Sequence, residues 1–443
     1  MLAGPTLQDD PIMMSSIRKC AAVAVLVGFS LSCTSPPKPG EHHSLITESG
    51  AWCWFADPRA ICGGPGPRLY AGWVDREGDI QIGALDAKTK EIETVTLHPK
   101  LQRDDHANPA LLELPDGRLM AFYSKHGGPD MFQRTTVRPW DISEWTAETT
   151  IPVHAANPPR KTITYPNPVL IREEGNRIYL FWRGDDWKPN FTWSDDLGKT
   201  WMPVRTLIAR KGSGLDNRPY MKVRKGRGGR IHFAFTDGHP RNEKHNSIYY
   251  LAWHDGAFHR ADGTRVGTMA DLPLDPSRTD LVYDARRTGV RAWIWDIGED
   301  LQGHPVLAYT RLPRMIDHRY HYARWIGGTW RDHEITAAGH WFPQTPEGKN
   351  EPEPHYSGGI CLDPFDPSHV FLSRQVRGVF EIEHWVTTDQ GRTWESRSIT
   401  KGSKLDNVRP FIPRGYSTGL PWVLWMNGPY RHYLDYNTSI RAW

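Results

Sequence analysis

The stretch Asp104-Asp105-His106-Ala107-Asn108-Pro109-Ala110, followed by Leu119-Met120-Ala121-Phe122-Tyr123-Ser124-Lys125-His126, decides the fold. It reads as a short loop, an apolar strand, a Pro115-Asp116-Gly117 turn and a second strand ending in histidine. A hairpin of this kind sets the loop before its first strand and the end of its second strand on one edge. His106 and His126 are therefore expected to meet in space, although twenty positions separate them. Two histidines on one rim can be an acid/base or cation pair, or can simply be bonded to backbone. The choice turns on whether the hairpin recurs.

It does. Apolar second strands align at residues 69–74, 119–124, 178–183, 231–236, 305–310, 370–374 and 422–427. Their spacing, roughly 50 to 65 residues, suits one four-stranded blade with its loops. Helical periodicity is almost absent after Trp52, and short alternating strands are separated by Gly, Pro, Asn and Asp. Two segments, Ser194-Asp195-Asp196-Leu197-Gly198-Lys199-Thr200-Trp201 and Thr387-Thr388-Asp389-Gln390-Gly391-Arg392-Thr393-Trp394, carry Asp-box spacing. In such boxes Asp and Gly make a hairpin turn and Trp plugs between neighbouring sheets. The expected fold is all-β: one seven-bladed propeller of four-stranded antiparallel blades over residues 44–443. A blade cannot bury both faces alone, and closing the ring buries them against each other.

The residues before 44 read differently. Arg18 and Lys19 precede an apolar run over 21–31, too short to cross a membrane as a mature helix. Residues 1–33 are expected to be a signal peptide, with Met13 or Met14 as a start, and 34–43 a Ser/Pro-rich tether. The run ends at Cys33 and resembles a lipoprotein signal, with Ser30 where a leucine is usual. The protein is expected to be exported, as an outer-membrane or periplasmic lipoprotein or a secreted monomer. A lipid anchor would be its one tie to a membrane. Near-neutral charge (+3, 54 Lys and Arg against 51 Asp and Glu) gives no sign of a nucleic-acid partner. Of five cysteines, Cys53, Cys62 and Cys361 remain beyond the leader, and spacing leaves a bond between Cys53 and Cys62 open.

The segments leading into the innermost strands also align: His106-Ala107-Asn108-Pro109, Tyr165-Pro166-Asn167-Pro168, Asn217-Arg218-Pro219-Tyr220, His355-Tyr356-Ser357-Gly358 and Asn407-Val408-Arg409-Pro410. Innermost strands line the axial channel, so these segments converge on one axial face. The ends of the second strands, among them His126, Arg183 and Asp237, reach the same face. The constellation is rich in His, Tyr and Arg and poor in carboxylates. That disfavours a two-carboxylate glycosidase, and no Tyr/Glu sialidase pair or nucleophile elbow can be assembled. Arg and His suit a carboxylate substrate, and Tyr with His suits moving protons. The reaction needing all of these is β-elimination at a uronic acid.

With these residues in place, the chain resembles the seven-bladed propeller polysaccharide lyases, in particular the ulvan lyases of polysaccharide lyase families 24 and 25 with BNR-type repeats. The resemblance runs from about Trp52 to the C-terminus and is most specific in blades two to four. It implies a catalytic set of His106, His126, Tyr165 and Arg183. His106 or Tyr165 would take the C5 proton, Tyr165 would deliver the O4 proton, and Arg183 with His126 would neutralise the carboxylate. Asn108, Trp182, Arg218 and Tyr220 would contact substrate, an anionic polysaccharide with a rhamnose–glucuronate or iduronate linkage. No cofactor is needed for this chemistry. Asp237 and His239 would hold a structural metal ion, Zn or Ca, as related propellers often do. An alternative within the same blades is an exo-lyase or α-L-rhamnosidase acting on arabinogalactan or gum arabic, with residues 138–161 closing its pocket. An alternative of another class is a non-catalytic glycan-binding propeller.

Overall fold

Second strands that bury both faces read as continuous apolar runs, and Leu119–Ser124 and Ile231–Thr236 are buried at every position. The computed structural model describes residues 1, 43–155, 158, 160–210, 217–340, 356–417 and 419–443. The chain divides into compact units 1–38 and 39–443. Apart from Met1 and His43, the expected leader and tether lie outside the described residues, as does His355. Among the described residues no helix is long and apolar enough to cross a membrane.

The described residues from Ser44 onward form the expected seven-bladed propeller. Its innermost strands are Ala60–Gly63, Ala110–Glu113, Thr164–Ile171, Met221–Lys225, Arg291–Glu299, Ile360–Leu362 and Asn407–Phe411, each opening an antiparallel sheet. The first strand, Ser44–Thr47, pairs with the last, Ser439–Ala442, with Ser44 opposite Ala442. The N-terminal strand thereby completes the seventh blade and closes the ring. The single α-helix among the described residues is one turn, Ala285–Thr288. Both Asp boxes behave as their sequence predicts. Asp196 accepts from the Thr200 amide at 2.8 Å, and Trp201 lies edge-on to Phe122 of blade two. Asp389 accepts from the Thr393 amide, and Trp394 packs edge-on against Tyr322 of blade five. Each box tryptophan reaches the blade before its own.

The channel is filled in a way the repeat does not announce. The peptide between the first strand and blade one, Ala51 to Asp57, is buried throughout inside the ring. Inner-strand and lead-in residues bond its backbone. Asn108 Oδ1 accepts the Cys53 amide at 3.0 Å, and Asn108 Nδ2 donates to the Ala56 carbonyl. Asn167 donates to the Phe55 carbonyl at 2.8 Å, Arg409 to that of Trp52 and Lys222 to that of Trp54. Lys222 also pairs with Asp57, which in turn accepts from Arg59 at 2.9 Å.

Two expectations are corrected here, and the open cysteine question is answered. Asn108 has no exposed surface and holds this plug, so it is not a substrate contact. Residues 138–151 do not close a pocket: Asp141–Trp145 and Thr149–Ile151 are strands of blade two, paired to Met131–Arg138. Cys53 and Cys62 are both buried free thiols rather than a disulfide. Replacing Asn108 with Ala removes two backbone partners from a site closed to water, at about 1–3 kcal/mol. Thermal or denaturant unfolding of Asn108→Ala should register that loss.

Candidate active site

His106 owes its position to a short turn. Asp104 caps the 3-10 turn Asp105–Ala107, accepting the His106 amide at 3.0 Å. The same Asp104 Oδ1 stands 2.6 Å from His106 Nδ1, and Asp105 Oδ1 lies 2.9 Å from that nitrogen. The other oxygen of Asp104 takes His126 Nδ1 at 2.8 Å. One carboxylate thus aligns two imidazoles, whose rings stack at 3.9 Å and 9°. Tyr433, from the loop of blade seven, closes edge-on over both rings. Asp105 is itself fixed behind them by Arg409 and Tyr430.

Tyr165 reaches the cluster through a bulge. The register of the inner strand of blade three shifts between Thr164 and Asn167, and Tyr165 sits at φ 67°, immediately before Pro166. A bulky residue at positive φ is costly and re-aims its side chain. Here it brings the phenol ring 5.4 Å from His106, under the Arg183 guanidinium at 4.7 Å. Arg183 donates to the Tyr220 hydroxyl at 2.5 Å and to Thr164 Oγ1 at 3.1 Å. Asp185, a near neighbour in sequence, is engaged by His154 at 2.7 Å. Arg183 and Arg218 flank the Trp187 ring at 4.7 and 5.1 Å. Trp54 and Phe55 from the plug, with Trp293, His239 and Tyr356, line the pocket beneath.

The two histidines are shifted in opposite directions. Burial opposes protonation of His106, but Asp104 and Asp105 overcome it and hold its pKa well above the usual histidine range. Burial, then the adjacent His106 cation, push His126 down to about 4. Burial alone would raise Asp104; the two histidines nevertheless keep it well below the carboxylate range. An ionised Asp104 only accepts, so neutral His126 must donate from Nδ1, which leaves Nε2 as a lone pair. Burial raises the Tyr165 phenol well above its usual range, against the pull of Arg183. The site therefore offers two cations, one neutral imidazole base and one neutral phenol acid.

His106, His126, Tyr165, Arg183 and Tyr220 are brought together as expected, with Arg218 beside them across Trp187. His106 alone faces two carboxylates, so the histidine expected to take a proton is the one whose pKa is raised. Trp182 is 1 % exposed, packed in the core between blades two and three, and unavailable to a sugar. Asp237 and His239 do not fit a metal. Asp237 is taken by Arg210, the Tyr249 hydroxyl and the Ser247 amide, and His239 Nδ1 accepts the Arg241 amide. The cluster is also less poor in carboxylates than it looked. Asp104 and Asp105 were adjacent to His106 in sequence, and an acid beside a histidine was the available signal. Tyr433, Trp54 and Phe55 lay outside the repeat register.

The profile of the BNR repeat-containing family matches residues 68–338. No curated protein matches the sequence significantly. Among solved structures, a PL25 ulvan lyase bound to -[GlcA(1-4)Rha3S]- superposes with a TM-score of 0.69 at 15 % identity, over 90 % of this chain and 95 % of that one. The polysaccharide lyase Uly1 superposes with a TM-score of 0.58 at 11 % identity, over 91 % and 98 % of the two chains. At such identity these likenesses establish a shared fold.

The opposite shifts of the histidine pair can be read directly. Imidazole nitrogen spectra should show His106 protonated through neutral pH and His126 neutral until about pH 4. Between pH 6.5 and about 4 the unfolded chain takes up a proton that folded His126 refuses, so its contribution falls as pH drops. The contribution of His106 runs the other way, present below its unfolded pKa and lost as pH rises through the raised folded value. Titration of both rings near the ordinary histidine value would refute the assignment.

Proposed function

Because the chain belongs to the BNR repeat-containing family, and because its site pairs two cations with a neutral base and a neutral acid, we propose that it is a polysaccharide lyase cleaving a uronate-containing glycan by β-elimination. The carrying observation is the stacked His106–His126 pair on a single carboxylate, with the pKa of His106 raised and that of His126 lowered. A uronate carboxylate seated against Arg183 and His106 has its charge balanced, which acidifies the C5 proton. His126 Nε2 removes that proton. The electron pair forms the C4–C5 double bond, the C4–O4 bond breaks, and the Tyr165 hydroxyl protonates the departing oxygen. His126 then returns its proton to solvent and Tyr165 regains one. Arg183 and His106 supply the charge that a metal would otherwise supply, so no cofactor is required. A glycan-binding propeller would have no use for two histidines in opposite protonation states.

For the substrate we propose an ulvan-like polymer with a rhamnose–glucuronate or iduronate linkage. The support is the density of cationic and aromatic side chains about the pocket, together with the GlcA(1-4)Rha3S ligand of the structural neighbour. Incubation with ulvan, gum arabic and a heparinoid should release the ultraviolet-absorbing unsaturated uronate from ulvan. Hydrolysis or binding alone yields none. Tyr165→Phe keeps the ring and removes the acid, so kcat should fall about 100- to 10,000-fold with KM little changed. Arg183→Ala should raise KM and lower kcat together, since it bears the substrate charge. Chelation should leave turnover intact. Full activity in Tyr165→Phe, or loss of turnover on chelation while the protein stays folded, would contradict the mechanism.

A further inference from the structure

The candidate site stands where the innermost strands begin. Where they end, at the opposite mouth of the channel, lies a cavity of about 520 Å³, against about 30 Å³ for the pocket beneath His106. The plug separates the two: Trp54 and Phe55 face the first, Asp57 and Pro58 the second. Apolar residues of the inner strands wall this second cavity. Around it stand five cations, Arg172, Arg224, Lys225, Arg227 and Arg414, against three carboxylates; Arg414 also lies 3.7 Å from Asp296 and Arg227 3.7 Å from Glu299. Of those carboxylates, Asp57 is held by Lys222 and Arg59, and Glu299 by His232 and the Arg227 amide. Glu113, half-buried, lies 3.9 Å from exposed Arg172. Lys225 is exposed and makes no ion pair among the described residues. Arg224 is buried, with Nη1 on the Ile297 carbonyl. Asn167, buried, also lines the cavity, and its Oδ1 has no donor among the described residues. Phe365, half exposed, forms part of the rim.

A cavity of this size is that of a small-ligand site. An excess of cations around apolar walls, with an aromatic rim and an unsatisfied amide acceptor, selects an anionic ligand that has apolar faces and hydroxyl donors. An acidic sugar has all three: its carboxylate or sulfate ester pairs with Arg and Lys, its ring face packs on Phe365, and a hydroxyl donates to Asn167. We propose that this mouth is a second, non-catalytic saccharide site for an acidic mono- or disaccharide unit of the glycan. It rests on the reading that the glycan is anionic, and is independent of whether the chain cleaves it. A polymer held there is tethered to the enzyme, raising its effective concentration at the other mouth.

The test is calorimetric titration of the full chain with a glucuronate–rhamnose disaccharide, with and without a sulfate ester, and with a neutral rhamnose disaccharide. The native chain should bind the acidic probes at two sites. Arg183→Ala should keep one, Lys225→Glu/Phe365→Ala should keep the other, and the three substitutions together should keep neither, with every variant still showing a cooperative unfolding transition. Binding to Arg183→Ala should weaken as salt is raised, and the neutral probe should not bind there. A preference for the sulfated or the plain probe identifies which anion the mouth takes. The proposal is overturned if Arg183→Ala binds no acidic probe, or if Lys225→Glu/Phe365→Ala leaves stoichiometry and affinity unchanged. Should the chain yield no unsaturated uronate while Lys225→Glu/Phe365→Ala still loses a site, the lyase reading fails and the second site stands.

Discussion

The structure depends on a peptide that belongs to no sheet. Residues 51–57 lie in the channel of the ring, where backbone groups without partners would each carry a desolvation cost. Side chains of successive blades remove it: Asn108, Asn167, Lys222 and Arg409 each hold a carbonyl or amide of the plug. The blades are thereby tied to a common axis as well as to their neighbours. The strand pairing that closes the ring, Ser44–Thr47 on Ser439–Ala442, comes immediately before the plug in sequence. Closure and filling of the channel are thus two consequences of one N-terminal segment.

The site inherits its electrostatics from that arrangement. Asp105 gives its carbonyl to the Cys53 amide of the plug and its carboxylate to Arg409, which also holds the plug. The turn that carries Asp104 and His106 is therefore anchored from beneath. With that turn fixed, Asp104 accepts from two imidazoles at once, and a charge on one stacked ring opposes protonation of the other. An arginine and a histidine cation beside a neutral base and acid is an arrangement that two independent histidines in water would not adopt.

The blades were legible because their cause is local. Each second strand is a buried apolar run bounded by turn residues, and seven such runs at blade spacing leave little choice of architecture. The register of the lead-in segments carried over to His106, His126, Tyr165, Arg183 and Tyr220 for the same reason. What failed were residues whose environment is set by something outside the repeat. Asn108 occupies the register of a substrate contact, but the plug lies beneath it. Trp182 sits one position before Arg183, and strand alternation turns it to the inter-blade side. The roles of His106 and His126 cannot be told from spacing, since both are bonded to Asp104 and only the additional proximity of Asp105 separates them.

Strand polarity accounts for the two ends of the channel. All seven innermost strands run the same way, so every residue that precedes one gathers at one mouth and every residue that ends one gathers at the other. The first mouth received histidine, tyrosine and arginine, with carboxylates tucked behind. The second received Arg172, Arg224 and Lys225 at strand ends in adjacent blades. The core lies on the faces between sheets and around the plug, where Tyr165 packs with Trp54 and Phe55. The charge at each mouth is thus set by the residues that precede or end the same seven strands.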